Sequence, residues 1–278
     1  MNIEIKNKSY SFNIDKIAEY LFPFKDKLHE LYTWETPTDE ELKTGLKLNL
    51  FTKTEYNKLL KTQNYFDRNS LMKNFIHNKI SKTKNKEVLT SYYIWIIKDW
   101  GGIRGIKSEG LYERIHKSQD SYKEDCSISF DKISSTTKAL HFISPSEFII
   151  YDSRVAYALN WILLKTEASK NFFIIPQGRN SKLSAFDMPT LIRLKNMNIY
   201  KSSYEDNNYD KRFIYNNDKN LFINEKYCYY LMNEILKEIS KRLWAGSKMA
   251  NYPYYTEMLL FSIADTFIFE DILHTLSL

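Results

Sequence analysis

The sequence predicts a mainly helical fold, for three reasons. It has only seven glycines and six prolines in 278 residues, which argues against a turn-rich sandwich and against a glycine-looped nucleotide fold. Hydrophobic residues make up 43% and aromatic residues 15% of the chain, enough for the core of one large domain or two small lobes. Apolar residues recur at helical spacing in several stretches, so helices are expected to carry that core.

The N-terminal half predicts one small β element followed by helices. Residues 2–12 alternate loosely between polar and apolar, as short strands do. Pro37 precedes Thr38 and a run of acidic residues, which is typical of a helix start. The most apolar stretch, residues 87–100, stops at Gly101–Gly102, as helices often do. Helices are accordingly predicted over residues 14–24, from residue 38 onward, over 71–80 and over 87–100.

The C-terminal half predicts helices around one polar insertion. Residues 137–143 and 153–164 predict two short helices, and Ser144–Pro145 ends the first. Residues 200–222 are polar and rich in tyrosine, which indicates a loop or insertion. The last two helices are predicted over residues 226–244 and 255–273, where long amphipathic patterns run.

Charge is unevenly distributed along the chain. The formal net charge is +6, whereas residues 52–107 alone carry a net charge of +8 and residues 165–201 one of +5. Such segregation is typical of proteins that bind a polyanion such as nucleic acid. A lysine-rich surface without a partner gives the same pattern, so composition alone leaves both interpretations open.

Several classes of protein are disfavoured by the sequence. It has no stretch of about eighteen uncharged apolar residues, and its charged N-terminus has no apolar signal core. Cys126 and Cys228 lie far apart and lack metal-ligand spacing. These features predict a cytoplasmic protein with no membrane segment, no metal and no cofactor.

A lysine and an aspartate stand near two consecutive predicted helix starts. The string SSTT, residues 134–137, is rich in residues that cap helices, and Lys138 follows it. A helix start is suited to a phosphate, and its dipole favours a free amine over a charged one. Asp152 is a predicted cap of the next helix, and Arg154 follows two residues later. Taken singly, these are a surface lysine and an ordinary cap, but their order on suitable elements indicates a catalytic pair.

This stretch resembles the helix–hairpin–helix DNA glycosylases, especially their 8-oxoguanine DNA glycosylase branch. In that family a hairpin is followed by a lysine nucleophile, a helix, and an aspartate at the next helix start. Lys138 and Asp152 match these two residues, and Arg154 falls where the family often has a phosphate contact. The family hairpin usually has two glycines, where this chain has Ser134 and Thr136.

A second similarity lies in residues 257–265. Glu257 and Phe261 take the places of a glutamine and a phenylalanine that the family lays against the flipped base, and their spacing puts both on one helix face. Trp100 and Phe142 are further candidates for the aromatic face of the base pocket. The residues expected to bind DNA phosphates are Ser135, Thr136, Thr137, Arg154, Arg104 and Lys107, the last two on a glycine-rich turn that also fits a plain helix end.

The resemblance implies a two-lobed helical fold with a cleft between the lobes, formed by residues 1–278 as a single domain. Residues 125–165 would hold the hairpin and the two helices that carry Lys138 and Asp152. The implied partner is double-stranded DNA with a modified base, and the implied state is a monomer. No cofactor is implied.

The implied reaction is cleavage of the N-glycosidic bond of a flipped base. Asp152 would stabilise positive charge on the sugar, and Lys138 would attack the sugar carbon to form a Schiff base. An ionised Glu257 accepts hydrogen bonds but cannot donate them, which suits the exocyclic amine of cytosine. We therefore expect a modified cytosine, such as glucosylated hydroxymethylcytosine, before 8-oxoguanine, and a role in bacterial defence against phages with modified DNA.

Two other classes of function remain open at this point. A non-catalytic nucleic-acid-binding module with a similar fold would bind DNA in a salt-dependent manner and release no base. An interaction protein with a merely basic surface would not bind duplex DNA at moderate salt.

Overall fold

The chain is mainly helical with one small two-stranded sheet, in a computed structural model that describes residues 1–35, 37–178, 180–201 and 212–276. The sheet pairs β1 (Asn2–Ile5) with β2 (Lys8–Ser11) in antiparallel register. Lys6 and Asn7 form the two-residue turn, and both have positive φ, as the tightest hairpin turns require. The predicted mainly helical class and the N-terminal β element are confirmed.

Helices fill the chain from the sheet to the predicted hairpin. Thr38 and Thr52 each cap a helix through a reciprocal capping box. The helix that follows Thr38 begins at Asp39, so the predicted start after Pro37 is confirmed. A π-helical segment, Ile96–Trp100, continues α6 up to Gly101. The elements are α1 (Ile14–Leu21), a 3₁₀ segment (Phe22–Lys27), α2 (Leu28–Leu31), α3 (Asp39–Lys47), α4 (Lys53–Lys61), α5 (Tyr65–Lys82), α6 (Lys86–Trp95), α7 (Leu111–Asp125) and α8 (Ile133–Ile143).

The second half departs from the prediction in two places. Part of the predicted polar loop is helical, at Phe213–Leu221, while residues 202–211 of that loop lie outside the described residues. The predicted helix over residues 255–273 is two helices, separated by a turn at residues 264–266. The elements are α9 (Ser153–Thr166), α10 (Ser181–Ala185), α11 (Met188–Lys195), α12 (Asn198–Lys201), α13 (Phe213–Leu221), α14 (Glu225–Leu243), a 3₁₀ segment (Lys248–Asn251), α15 (Tyr254–Ile263) and α16 (Phe267–Leu276).

The closest helix packing forms two sets. In the first, α3 to α8 pack on one another, with the π segment against α8. In the second, α9 packs against α1, α11 and α15, and α14 packs against α1 and α15. The short helix α2 contacts both α5 and α15, and one hydrophobic core continues through both sets. Residues of the two sets meet at a shared cavity.

Candidate active site

The cavity has a volume of about 510 Å³, within the usual range of ligand pockets. The first helix set contributes residues of α5, α8 and the segment that follows α6. The second set contributes residues from the start of α9 and from one face of α15. The lining includes Tyr32, Trp34, Lys73, Trp100, Gly101, Arg104, Lys138, Asp152, Arg154, Glu257 and Phe261.

Lys138 and Asp152 meet in this cavity. Lys138 Nζ lies 3.9 Å from Asp152 Oδ2, with 8% and 24% of the two side chains exposed. Asp152 caps α9, because its Oδ1 accepts a hydrogen bond from the backbone N–H of Arg154 at 2.9 Å. One carboxylate oxygen is therefore fixed by the helix start, and the other is directed to the lysine. The structure brings together the two residues that the sequence singled out.

The helix-dipole argument for Lys138 is wrong. Helix α8 begins at Ile133, so Lys138 lies in its second turn, beyond the positive end of the helix. What positions the amine is burial and the ion pair with Asp152.

The SSTT string is part of the scaffold. Lys132, in the left-handed conformation with φ of 55°, occupies the cap position of α8, and the Ser135 hydroxyl donates to its carbonyl at 2.8 Å. Thr136 and Thr137 are 1% and 0% exposed. The prediction that Ser135, Thr136 and Thr137 bind phosphate is therefore wrong. Their side chains are buried, the N–H groups of Ser135 and Thr136 donate to the Lys132 carbonyl, and none of the three residues lines the cavity.

Two of these hydroxyls instead hold the segment that leads to Asp152. Thr137 Oγ1 accepts a hydrogen bond from the N–H of Tyr151 at 3.0 Å, and the Ser134 hydroxyl donates to the Tyr151 carbonyl at 3.1 Å. Asn233 of α14 accepts from the N–H of Ile149 at 2.8 Å. Because buried backbone groups need partners, these bonds fix the distance between α8 and Asp152.

Gly101 leaves room for the stem of Lys138. A Cβ atom at this position would lie 2.6 Å from Lys138 Cδ and 2.7 Å from the Ile97 carbonyl oxygen. Both distances are too short for a side chain to be accommodated without movement. The glycine therefore does more than end the π segment, since it allows the amine to reach the cavity.

We expect Gly101→Ala to destabilise the protein by about 1–3 kcal/mol through overpacking. The cost should be smaller in a Lys138→Ala background, where only the contact with Ile97 remains. Urea unfolding of wild type, both single variants and the double variant measures this coupling. Equal costs in both backgrounds would show that the lysine stem does not touch Gly101.

The α15 residues also face the cavity as predicted from their spacing. Glu257 is buried, and its Oε2 has no hydrogen-bond partner among the described residues. The ring of Phe261 makes an edge contact with Trp34, with ring centroids 5.6 Å apart. The Arg154 guanidinium lies 4.6 Å from the centre of the Phe261 ring and 3.5 Å from a carboxylate oxygen of Asp265. A base that stacks on Phe261 must therefore use the other face or displace Arg154.

Of the remaining predicted residues, some line the cavity and others do not. Trp100 and Arg104 line the cavity. Phe142 does not, because it is fully buried in an edge contact with Trp100, with ring centroids 4.9 Å apart, so its assignment to the base pocket is wrong. Lys107 is exposed but lies outside the cavity lining, and its phosphate contact stays a prediction.

Sequence reasoning missed Lys73 of α5. This lysine is 1% exposed and lies in the cavity lining. The buried face of α5 carries Asn69, Met72, Lys73, Ile76 and Ile80. A lysine at helical spacing among buried positions was the signal that was available. Tyr32 and Trp34 were also missed, since they lie on an irregular segment without periodicity.

Burial shifts the pKa of two cavity groups. It raises the pKa of Glu257 to about 7, an effect that the charge of Lys73 opposes. It lowers the pKa of Lys73 to about 8, where the charge of Glu257 again acts in the opposite direction. Of these two groups, Glu257 is the one that titrates near neutral pH.

The shift of Glu257 predicts a pH dependence of stability. Between pH 4.5 and 7 the folded chain keeps a proton that the unfolded chain has released, so wild-type stability falls as pH rises through this window. The free energy of unfolding of Glu257→Gln relative to wild type should therefore rise by about 1–3 kcal/mol over that window. Urea unfolding at several pH values measures this, with exposed Glu4→Gln as control. A constant difference would contradict the burial effect.

Comparisons with known proteins identify no relative of this chain. No protein-family model, curated protein or solved structure matches it. Within the described ranges, no helix combines the length and apolar character needed to cross a bilayer, and no group of three or more His, Cys, Asp and Glu residues is placed to hold a metal ion.

Proposed function

We propose that the protein is a DNA glycosylase that removes a modified base flipped into the cavity. The observation that carries this proposal is the meeting of an amine and a carboxylate, Lys138 Nζ and Asp152 Oδ2, at 3.9 Å in a cavity of about 510 Å³. Such a pair fits the chemistry of a sugar that becomes positively charged as its base departs.

Asp152 would act first, by stabilising the positive charge that develops on the sugar as the glycosidic bond breaks. Its fixed orientation at the start of α9 supports this role, because no reorganisation is needed during the reaction. Lys138, whose ammonium is paired with Asp152, would give one proton to the departing base and attack the sugar carbon as the free amine. The second proton that it loses on forming the bond would pass to the neighbouring carboxylate. The resulting Schiff base would permit strand cleavage.

The base would enter between aromatic and charged residues. Phe261, Trp34 and Trp100 supply aromatic surface, and Glu257 supplies an unpaired acceptor. The ionised form of Glu257, which prevails above its pKa of about 7, favours the exocyclic amine of a modified cytosine, including glucosylated hydroxymethylcytosine, over 8-oxoguanine. Excision of such bases would serve bacterial defence against phages that modify their DNA.

The test is release of free base from duplex oligonucleotides that carry one modified position. Four duplexes are compared, with 8-oxoguanine, uracil, hydroxymethylcytosine or glucosylated hydroxymethylcytosine, and free base is detected by mass spectrometry. We expect release from a modified-cytosine duplex at the highest rate. Salt-dependent binding of all four duplexes without release of any base would favour a non-catalytic binding module instead.

A further inference from the structure

We infer that Lys73 is a second substrate-contacting amine, which donates a hydrogen bond to a ring nitrogen beside the amino group that Glu257 binds. This inference rests on the proposed function and names the edge of the base that the cavity recognises. The ligand class is a heterocycle with an amino group next to an unprotonated ring nitrogen, as in cytosine and adenine.

Lys73 is buried without a counter-ion in contact. Among the described residues, no carboxylate oxygen lies within 4.0 Å of its Nζ, and its hydrogen-bond partner is His141 Nε2 at 2.7 Å. Three rings surround the ammonium, with centroids 5.2 Å away for Trp100, 5.7 Å for Phe142 and 5.1 Å for Tyr254. A lysine that only filled this space would cost free energy relative to an apolar side chain of similar length.

The partner of Lys73 is fixed as a hydrogen-bond acceptor. His141 Nδ1 lies 2.7 Å from the Phe148 carbonyl oxygen and therefore carries the proton, which leaves Nε2 to accept from Lys73. Burial and the nearby Lys73 charge hold the pKa of His141 well below its usual value, so the ring stays neutral. One ammonium hydrogen is thereby used, and the other two make no hydrogen bond within the part of the chain that the structure describes.

Glu257 supplies the complementary half of the site. Its buried Oε2 lacks a partner among the described residues, and the charges of Glu257 and Lys73 influence each other. Both side chains belong to the lining of the same cavity. An ammonium with two hydrogens unused and a carboxylate oxygen without a partner, both in the lining of one cavity, indicate a ligand with the opposite arrangement.

Cytosine meets this requirement and uracil does not. The 4-amino group of cytosine would donate to Glu257, and its N3 would accept from Lys73. Uracil reverses both groups, since O4 accepts and N3–H donates. Above the Glu257 pKa of about 7 it would therefore place an acceptor against an ionised carboxylate, and the titration below is made at about pH 8 for this reason. The arrangement therefore predicts discrimination between the two rings at the level of binding, before any bond is broken.

The experiment is a binding titration with free bases, read out by the fluorescence of Trp34 and Trp100, which line the cavity. Wild type is titrated with cytosine, 5-hydroxymethylcytosine and uracil. We expect cytosine to bind at least about 10-fold more tightly than uracil. Lys73→Met, whose thioether fits an aromatic cage, should keep the fold and bind cytosine about 10- to 100-fold more weakly.

Lys237→Met, a substitution at a half-buried lysine outside the cavity, is the matched control and should bind cytosine like wild type. Circular dichroism and melting temperature establish that Lys73→Met is folded, and the comparison of cytosine with uracil on wild type does not depend on that variant. Equal binding of cytosine and uracil by wild type, or equal binding of cytosine by wild type and Lys73→Met, would overturn the inference.

The two proposals fail in different ways. Cytosine binding that depends on Lys73, without base release from any duplex, would refute the glycosylase and leave the base-binding site standing. Base release by wild type, with cytosine binding unaffected by Lys73→Met, would support the glycosylase and overturn the role of Lys73.

Discussion

Asp152→Asn is expected to slow base release by about 10²- to 10³-fold, the usual effect of removing one preorganised electrostatic stabiliser. The amide keeps the shape of the side chain and can still cap α9 through its oxygen. It cannot offset the positive charge on the sugar, because it carries no negative charge itself. The loss should therefore appear in the rate of a single turnover and not in the affinity for duplex DNA.

The chain offers a matched control for this variant. Asp187 caps α11 in the same manner, since its side chain accepts from the N–H of Thr190 at 3.0 Å, but it does not line the cavity. Asp187→Asn should retain the wild-type rate. If both substitutions slowed base release equally, the effect of Asp152 would be one of helix capping, and its proposed role at the sugar would be lost.

Lys138→Gln is expected to abolish the covalent adduct that borohydride traps between protein and DNA. Glutamine has an amide in place of the amine, so it cannot form a Schiff base. Its amide can still donate a hydrogen bond toward Asp152, which should preserve the fold. The measurement is borohydride reduction during the reaction with the duplex from which wild type releases its base. Denaturing electrophoresis then separates the protein–DNA adduct from free DNA.

Lys165→Gln is the control for Lys138→Gln. Lys165 of α9 is also ion-paired with a carboxylate, that of Asp271. The side chains of Asp271 and Asp152 are equally exposed, at 24%, but Lys165 lies outside the cavity lining. Its variant should give the wild-type amount of adduct. Adduct that persists at full yield in Lys138→Gln would assign the nucleophile to another amine.

Local patterns in the sequence predicted much of the helical scaffold. The start of α3 follows from Thr38 and Glu41, which satisfy each other within one turn. Glu257 and Phe261 share a helix face through their spacing alone, and both line the cavity. Asp152 likewise caps α9 through a bond to the residue two positions later. Each of these features depends on neighbours in sequence, so the sequence is sufficient to predict it.

Features that depend on distant residues were not predicted. The partner of Lys73 is His141, on a helix from another part of the chain, and no local pattern pairs them. Threonine is a common capping residue, but Thr137 lies inside α8, which begins at Ile133. Its hydroxyl oxygen instead accepts a hydrogen bond from the backbone N–H of Tyr151. Gly101 was interpreted as a helix end, since its contact with Lys138 depends on the packing of α8 against the π segment.

The proposed glycosylase mechanism requires that the sugar of a DNA substrate enter the cavity between Lys138 and Asp152. The most direct measurement is borohydride trapping on the four duplexes, followed by proteolysis and mass spectrometry to locate the lysine that carries the sugar remnant. A remnant on Lys138 is expected, with a modified-cytosine duplex giving the highest yield. A remnant only on lysines outside the cavity, or no adduct together with no released base from any duplex that binds, would contradict it.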